Sequence, residues 1–168
     1  MKYTPTLTGL AALAMAVGIG VVPTSAHASG TLAGAEVDGV IVVSGNTCSW
    51  TGADASATPP SALTVDRSTI NKPGGNLTCA GGITASLNNN PAFTFDDAAG
   101  TATTDVIDLT GKQSFVSCRY KVTNIVWNRD GATRKYVNTP FTATKVSGSF
   151  LCPGSFSAAA GEASVVFR

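Results

Sequence analysis

The sequence predicts an all-β fold, an antiparallel β-sandwich, on three observations. Short runs rich in Val, Ile, Thr and Phe alternate with clusters of Gly, Pro, Asn and Asp, the pattern of strands punctuated by turns. Beyond residue 28, no stretch holds apolar residues at helical spacing for three turns. Four cysteines lie 31, 39 and 34 positions apart, an even number spread along the chain as disulfide partners are.

Taken in order, residues 1–28 read as a signal peptide. Lys2 supplies the positive start, Leu10–Val22 is apolar and uncharged, Pro23 breaks any helix, and Ala26-His27-Ala28 has the small-x-small pattern of a cleavage site. The rival reading is an uncleaved anchor, but the run falls short of the roughly 18–20 residues that span a bilayer. Cleavage after Ala28 leaves residues 29–168, expected as one domain with no membrane span. His27 is the only histidine, and Met1 and Met15 are the only methionines, so the mature chain contains neither.

Strands follow. Gly39–Ser44 and Thr47–Thr51 come first, and Pro59-Pro60 sets them apart from Ala62–Ile70. Lys72-Pro73-Gly74-Gly75 precedes Asn76–Ala80 and Ile83–Leu87, and Asn88-Asn89-Asn90-Pro91 precedes Ala92–Phe95 and Ala102–Leu109. Ser114–Asn128 exceeds the roughly ten residues at which strands usually stop, so a bend or bulge is expected within it. Asp130-Gly131 reads as a tight type I′ turn into Thr133–Val137, in a register that sets Trp127 opposite Arg134 and Ile125 opposite Tyr136. Trp127 then either lies over Arg134 as a surface cation–π pair or packs inward. Lys145–Cys152, the Pro153-Gly154 turn and Ala163–Phe167 complete the series.

The cysteines carry an internal echo. Gly75-Asn76-Leu77-Thr78-Cys79-Ala80-Gly81 matches Gly148-Ser149-Phe150-Leu151-Cys152-Pro153-Gly154 in its Gly, hydrophobe and Cys positions, and Cys48-Ser49-Trp50 parallels Cys118-Arg119-Tyr120. Residues two apart on a strand share a face, so each Cys would point the same way as its aromatic. The echo suggests two duplicated halves closing equivalently, Cys48 with Cys79 and Cys118 with Cys152. A four-thiolate zinc site is the rival, disfavoured because such sites bring cysteines in close pairs. No cofactor or metal is expected.

Without histidine the mature chain lacks the Ser-His-Asp and Cys-His mechanisms. A carboxylate-based glycosidase remains an alternative, with Asp96, Asp97, Asp105 and Asp108 as candidates, against the reading of these acids as a solvated face. Phe95–Gly100 lacks the alternating acids of a calcium loop. The charge is more directional. From Ser29 to Asp108 there are eight acids and two bases, and from Leu109 to Arg168 eight bases and two acids. The basic stretch is interleaved with aromatics, which suggests a surface for an anionic envelope polymer such as a glycan, formed by Trp127, Arg129, Arg134, Lys135 and Tyr136. The competing reading is that the two halves pack with complementary charge. Nucleic acid is not expected as a partner of an exported, net-neutral chain.

The signal-like segment with Ala26-His27-Ala28, together with the Cys118-Arg119-Tyr120 and Ser149-Phe150-Leu151-Cys152-Pro153 passages, resembles small secreted four-cysteine β-rich proteins of actinobacterial type, a group that implies no activity. Subtilisin-inhibitor-like proteins are similar in size and disulfide count. The Cys-Pro-x-x-Tyr-Asp passage expected of them is missing, because Cys152-Pro153 continues as Gly154-Ser155-Phe156. No extended passage matches the immunoglobulin-like chromoprotein carriers. The reading is therefore a secreted or wall-associated, non-enzymatic structural or binding protein of the cell envelope, with an immunoglobulin-like or related sandwich. Its partner is expected to be an anionic envelope polymer or another secreted protein. A secreted protease inhibitor presenting Ala57–Leu63, stiffened by Pro59-Pro60, is the alternative.

Overall fold

The computed structural model describes residues 35–43, 45–71 and 75–168, so the expected signal peptide, Ser44 and most of the Lys72–Gly75 turn lie outside the described residues. Twelve strands run β1 (Ala35–Val43), β2 (Asn46–Ala55), β3 (Leu63–Thr64), β4 (Asn76–Cys79), β5 (Thr84–Leu87) and β6 (Ala92–Asp96). They continue β7 (Thr101–Gln113), β8 (Val116–Arg129), β9 (Lys135–Asn138), β10 (Phe141–Gly148), β11 (Ser155–Ala158) and β12 (Ala163–Phe167). All their pairings are antiparallel.

The sheet closes. Hydrogen-bonded neighbours run β8-β9-β12-β1-β2-β4-β5-β7 and return to β8, an eight-stranded ring from which β6 and β3 extend beside β7 and β10 and β11 beside β8. The expectation of two separate sheets thus gives way to one continuous ladder, and the cause is the length of β7 and β8. They pair from Thr101↔Asn128 to Gln113↔Val116, and each takes a different outer neighbour at its two ends. β7 holds β6 at residues 101–104 and β5 at 109–112, while β8 holds β10 at 118–121 and β9 at 127–129.

The long segment read from Ser114 carries its break at Asn124, whose φ is 55°. Tyr120 and Val122 face inward before it, Ile125 and Trp127 after it, so the buried side shifts by one residue. A period-two strand needs such a shift to keep its core face turned inward through a bend. β7 makes the matching change, burying Ala102 and Thr104 at one end and Leu109 at the other. Inside the ring, Val37, Val65, Ile70, Phe93 and Tyr136 are almost wholly buried.

Two local expectations are revised. Ala62–Ile70 is not one strand. Asp66 accepts from Ser68 N (2.9 Å) and turns Arg67–Thr69 into a 3-10 helix, as a short capping carboxylate does. Lys145–Cys152 is the second half of β10 followed by a turn, and β11 then forms from Ser155.

The disulfides are Cys48–Cys79 and Cys118–Cys152. Cys48 stands directly opposite Cys79 on β2 and β4, whereas Cys152 lies in the turn beyond β10. The parallel within the chain is one of neighbourhood: β2 pairs with β4 and β4 with β5, as β8 pairs with β10 and β10 with β11.

Candidate functional site

The surface expected around the β8–β9 hairpin is rearranged by its register. Asp130 N donates to Lys135 O (2.8 Å), and the Thr133 hydroxyl bonds Asp130 O (2.6 Å), so residues 131–134 loop out where a two-residue turn was expected. Thr hydroxyls compete for local backbone groups in this way. Trp127 therefore faces Asn138, and Tyr136 faces Arg129.

Both rings are core. Trp127 is 2% exposed, packs 6.1 Å from Phe93, and donates from Nε1 to Thr104 Oγ1 at 2.8 Å. Tyr136 lies 5.5 Å from Phe95 and 5.9 Å from Phe167. This removes Trp127 and Tyr136 from the expected binding surface. The bases stay on the surface and are largely engaged: Arg129 and Arg134 share Asp97 at 3.1 and 3.6 Å, and Lys135 reaches Asp130 at 3.0 Å.

The four candidate carboxylates each have a separate structural partner. Asp96 accepts from Ala99 N in the β6–β7 turn, Asp97 holds the two arginines, and Asp105 accepts from Ala92 N and Val106 N. Asp108 is buried against Arg119 and Asn88. The Arg119 guanidinium holds the Asp108 carboxyl below its ordinary range, against the opposing effect of burial. Among the described residues no three His, Cys, Asp or Glu side chains gather as metal ligands. In the Ala57–Leu63 segment, Ser61 N bonds Thr58 O at 3.1 Å, so this stretch is turned, with Ala57 packed against the core and Leu63 buried in it.

The opposite end of the β7–β8 hairpin is built differently. Its tip is a two-residue turn, Ser114-Phe115, with Ser114 at φ 51° and Gln113 facing Val116. Close by, the β10–β11 connection is sewn to β8: Ser149 N donates to Ser117 O (2.9 Å), and Cys152 is bonded to Cys118. Both attachments fix the chain on either side of Phe150 and Leu151. Phe115 is 88% exposed, Phe150 91%, and Leu151 55%.

A cleft of about 330 Å³ opens beside them, lined by Leu109, Val116, Tyr120, Leu151 and Pro153, with Lys112 at its margin. Tyr120 donates to Pro153 O (3.0 Å) and packs edge-on against Phe156 at 5.0 Å, which braces the loop from beneath. Burial raises the Tyr120 phenol, keeping it a neutral donor.

Charge at this end is one-sided. The segments that build it, 45–50, 76–87, 108–121 and 145–156, contain Lys112, Arg119, Lys121 and Lys145 against a single acid, Asp108, which stands opposite Lys121. Arg119 is tied to Asp108, and Lys145 Nζ donates to Cys152 O (3.1 Å). Among the described residues no carboxylate lies within ion-pair distance of Lys112 or Lys121.

The other cavity described, inside the ring, is about 30 Å³ and lined by core residues such as Val37 and Phe93. No family model, curated protein or solved structure matches the chain.

Proposed function

We propose that this is an exported, non-catalytic protein that adheres to an anionic component of the cell envelope through the end carrying Phe115 and Phe150. Two disulfides suit an oxidising compartment outside the membrane. The cleft beside the phenylalanines is lined without a carboxylate or histidine, so its chemistry suits contact better than proton transfer.

The observation that carries the reading is the near-complete exposure of both rings on turns held to one strand. Large apolar side chains gathered in water mark contact surfaces, and here they sit near the exposed Lys112 and Lys121. The anionic contact is placed away from Arg129 and Arg134, which share Asp97, and from Lys135, which pairs with Asp130.

Retention of the purified protein on isolated cell envelopes tests this. Phe115→Ser with Phe150→Ser is expected to lower retention at least tenfold with the far-UV spectrum unchanged. Arg134→Ala with Lys135→Ala is expected to leave retention as it was. Wild-type retention by the double phenylalanine variant overturns the proposed surface.

A further inference from the structure

We infer that the occupant of this end is the surface of an anionic lipid bilayer, with Phe115 and Phe150 entering the boundary between headgroups and acyl chains and Lys112 and Lys121 meeting the phosphates. The inference rests on the contact end proposed above and names what that end touches.

Three features favour a bilayer over a polysaccharide or a protein partner. The rings stand at the tips of two turns, with no wall around them: Phe115 is 88% and Phe150 91% exposed. A sugar or peptide site holds its ligand in a concavity with directed donors and acceptors; the two rings offer none and project outside the neighbouring cleft, whose walls are mainly apolar. A bilayer is deformable and accepts an unshaped apolar projection.

The charge is also of the right kind. Lysine ammonium groups near an anionic leaflet gain from its surface potential without fixed geometry; the acid opposite Lys121, Asp108, is already held by Arg119, and residues 109–121, around Lys112, carry no acid. Lastly, the projection is already ordered. The Cys118–Cys152 bond and the Ser149–Ser117 hydrogen bond hold Phe150, and the two-residue turn holds Phe115. Little chain entropy is then lost when the rings enter the lipid.

Sedimentation of the disulfide-bonded protein with vesicles provides the test, comparing phosphatidylglycerol–phosphatidylcholine mixtures with phosphatidylcholine alone. Binding is expected to the mixed vesicles, falling at least tenfold for Phe115→Ser with Phe150→Ser and at least fivefold for Lys112→Ser with Lys121→Ser. Raised salt should weaken it, because the lysine contribution is screened. A Phe115→Trp variant, with the native indoles at Trp50 and Trp127 as background, should show blue-shifted emission on the mixed vesicles and quenching by brominated acyl chains.

Retention on isolated envelopes without vesicle binding overturns the lipid assignment while leaving the envelope contact standing. Vesicle binding undiminished in the phenylalanine variant overturns the role of the rings. Self-association that this variant abolishes, with no vesicle binding, makes the patch an interface between copies and also overturns the inference.

Discussion

Asp108 shows how a single buried acid is made tolerable. Its carboxylate accepts Arg119 Nε at 2.8 Å and Nη2 at 2.7 Å, and Asn88 Nδ2 at 2.7 Å, so its lone pairs are met on two sides. Two-pronged guanidinium bonds are both strong and orienting. Since the folded carboxyl titrates below its unfolded value of about 3.9, its stabilisation is complete above that pH and drains away as pH falls through the lower, folded value. Arg119→Met is therefore expected to lower the urea midpoint at neutral pH. The gap from wild type should be smaller at about pH 2.5, below the ordinary carboxylate value, where the unfolded chain's Asp108 is protonated. Urea titrations at the two pH values check this. An equal gap at both would show that Arg119 acts through packing of its aliphatic stem.

At the scale of elements, the turn between β10 and β11 depends on a covalent tether. Cys118–Cys152 closes a loop with sequence separation 34, and on a chain-entropy account its loss costs about 4 kcal/mol. Cys118→Ser with Cys152→Ser is expected to destabilise by about that amount and to speed hydrogen exchange at Ser149 and Cys152. Amides within β5 should keep their order of protection; equal acceleration there would mean that the bond supports the ring as a whole. Strands such as β5, β6 and β12 were legible because alternation and flanking turn residues coincide. The β11 strand was not, since Ser155–Ala158 offers one large apolar residue and gains its place only by pairing with β10. The hairpin site failed for a related reason. Asp-Gly signals a turn but not its length, and the longer loop moves each ring's partner by four residues, Trp127 from Arg134 to Asn138 and Tyr136 from Ile125 to Arg129. Phe115 and Phe150 were unreadable as a site because exposure is a tertiary property. Ser149-Phe150-Leu151-Cys152 has the composition of a strand and becomes a turn once Cys152 is bonded to Cys118.

For the whole molecule, closure and charge describe the same arrangement. The acidic first part of the chain and the basic second part meet at Arg119–Asp108, Arg129–Asp97 and Arg134–Asp97, and Arg168 pairs with Glu36 and Asp38 where β12 joins β1. These are mostly exposed pairs, so they add modestly to stability and more to alignment. The hydrogen-bonded ring contributes more, because no strand in it can leave without freeing both its neighbours. Unfolding is therefore expected as one transition. Trp50 and Trp127 report from separate places. Trp50 on β2 covers Gly39 so closely that a Cβ there would lie 2.0 Å from its ring, while Trp127 on β8 is bonded to Thr104. Trp127→Phe leaves Trp50 as the only indole, and Trp50→Phe leaves Trp127. Both variants should unfold at lower urea than wild type, yet in each the fluorescence and far-UV transitions should coincide. If Trp50 emission changes well before the far-UV signal while Trp127 emission follows that signal, the ring opens first at β2 and the molecule unfolds in two steps.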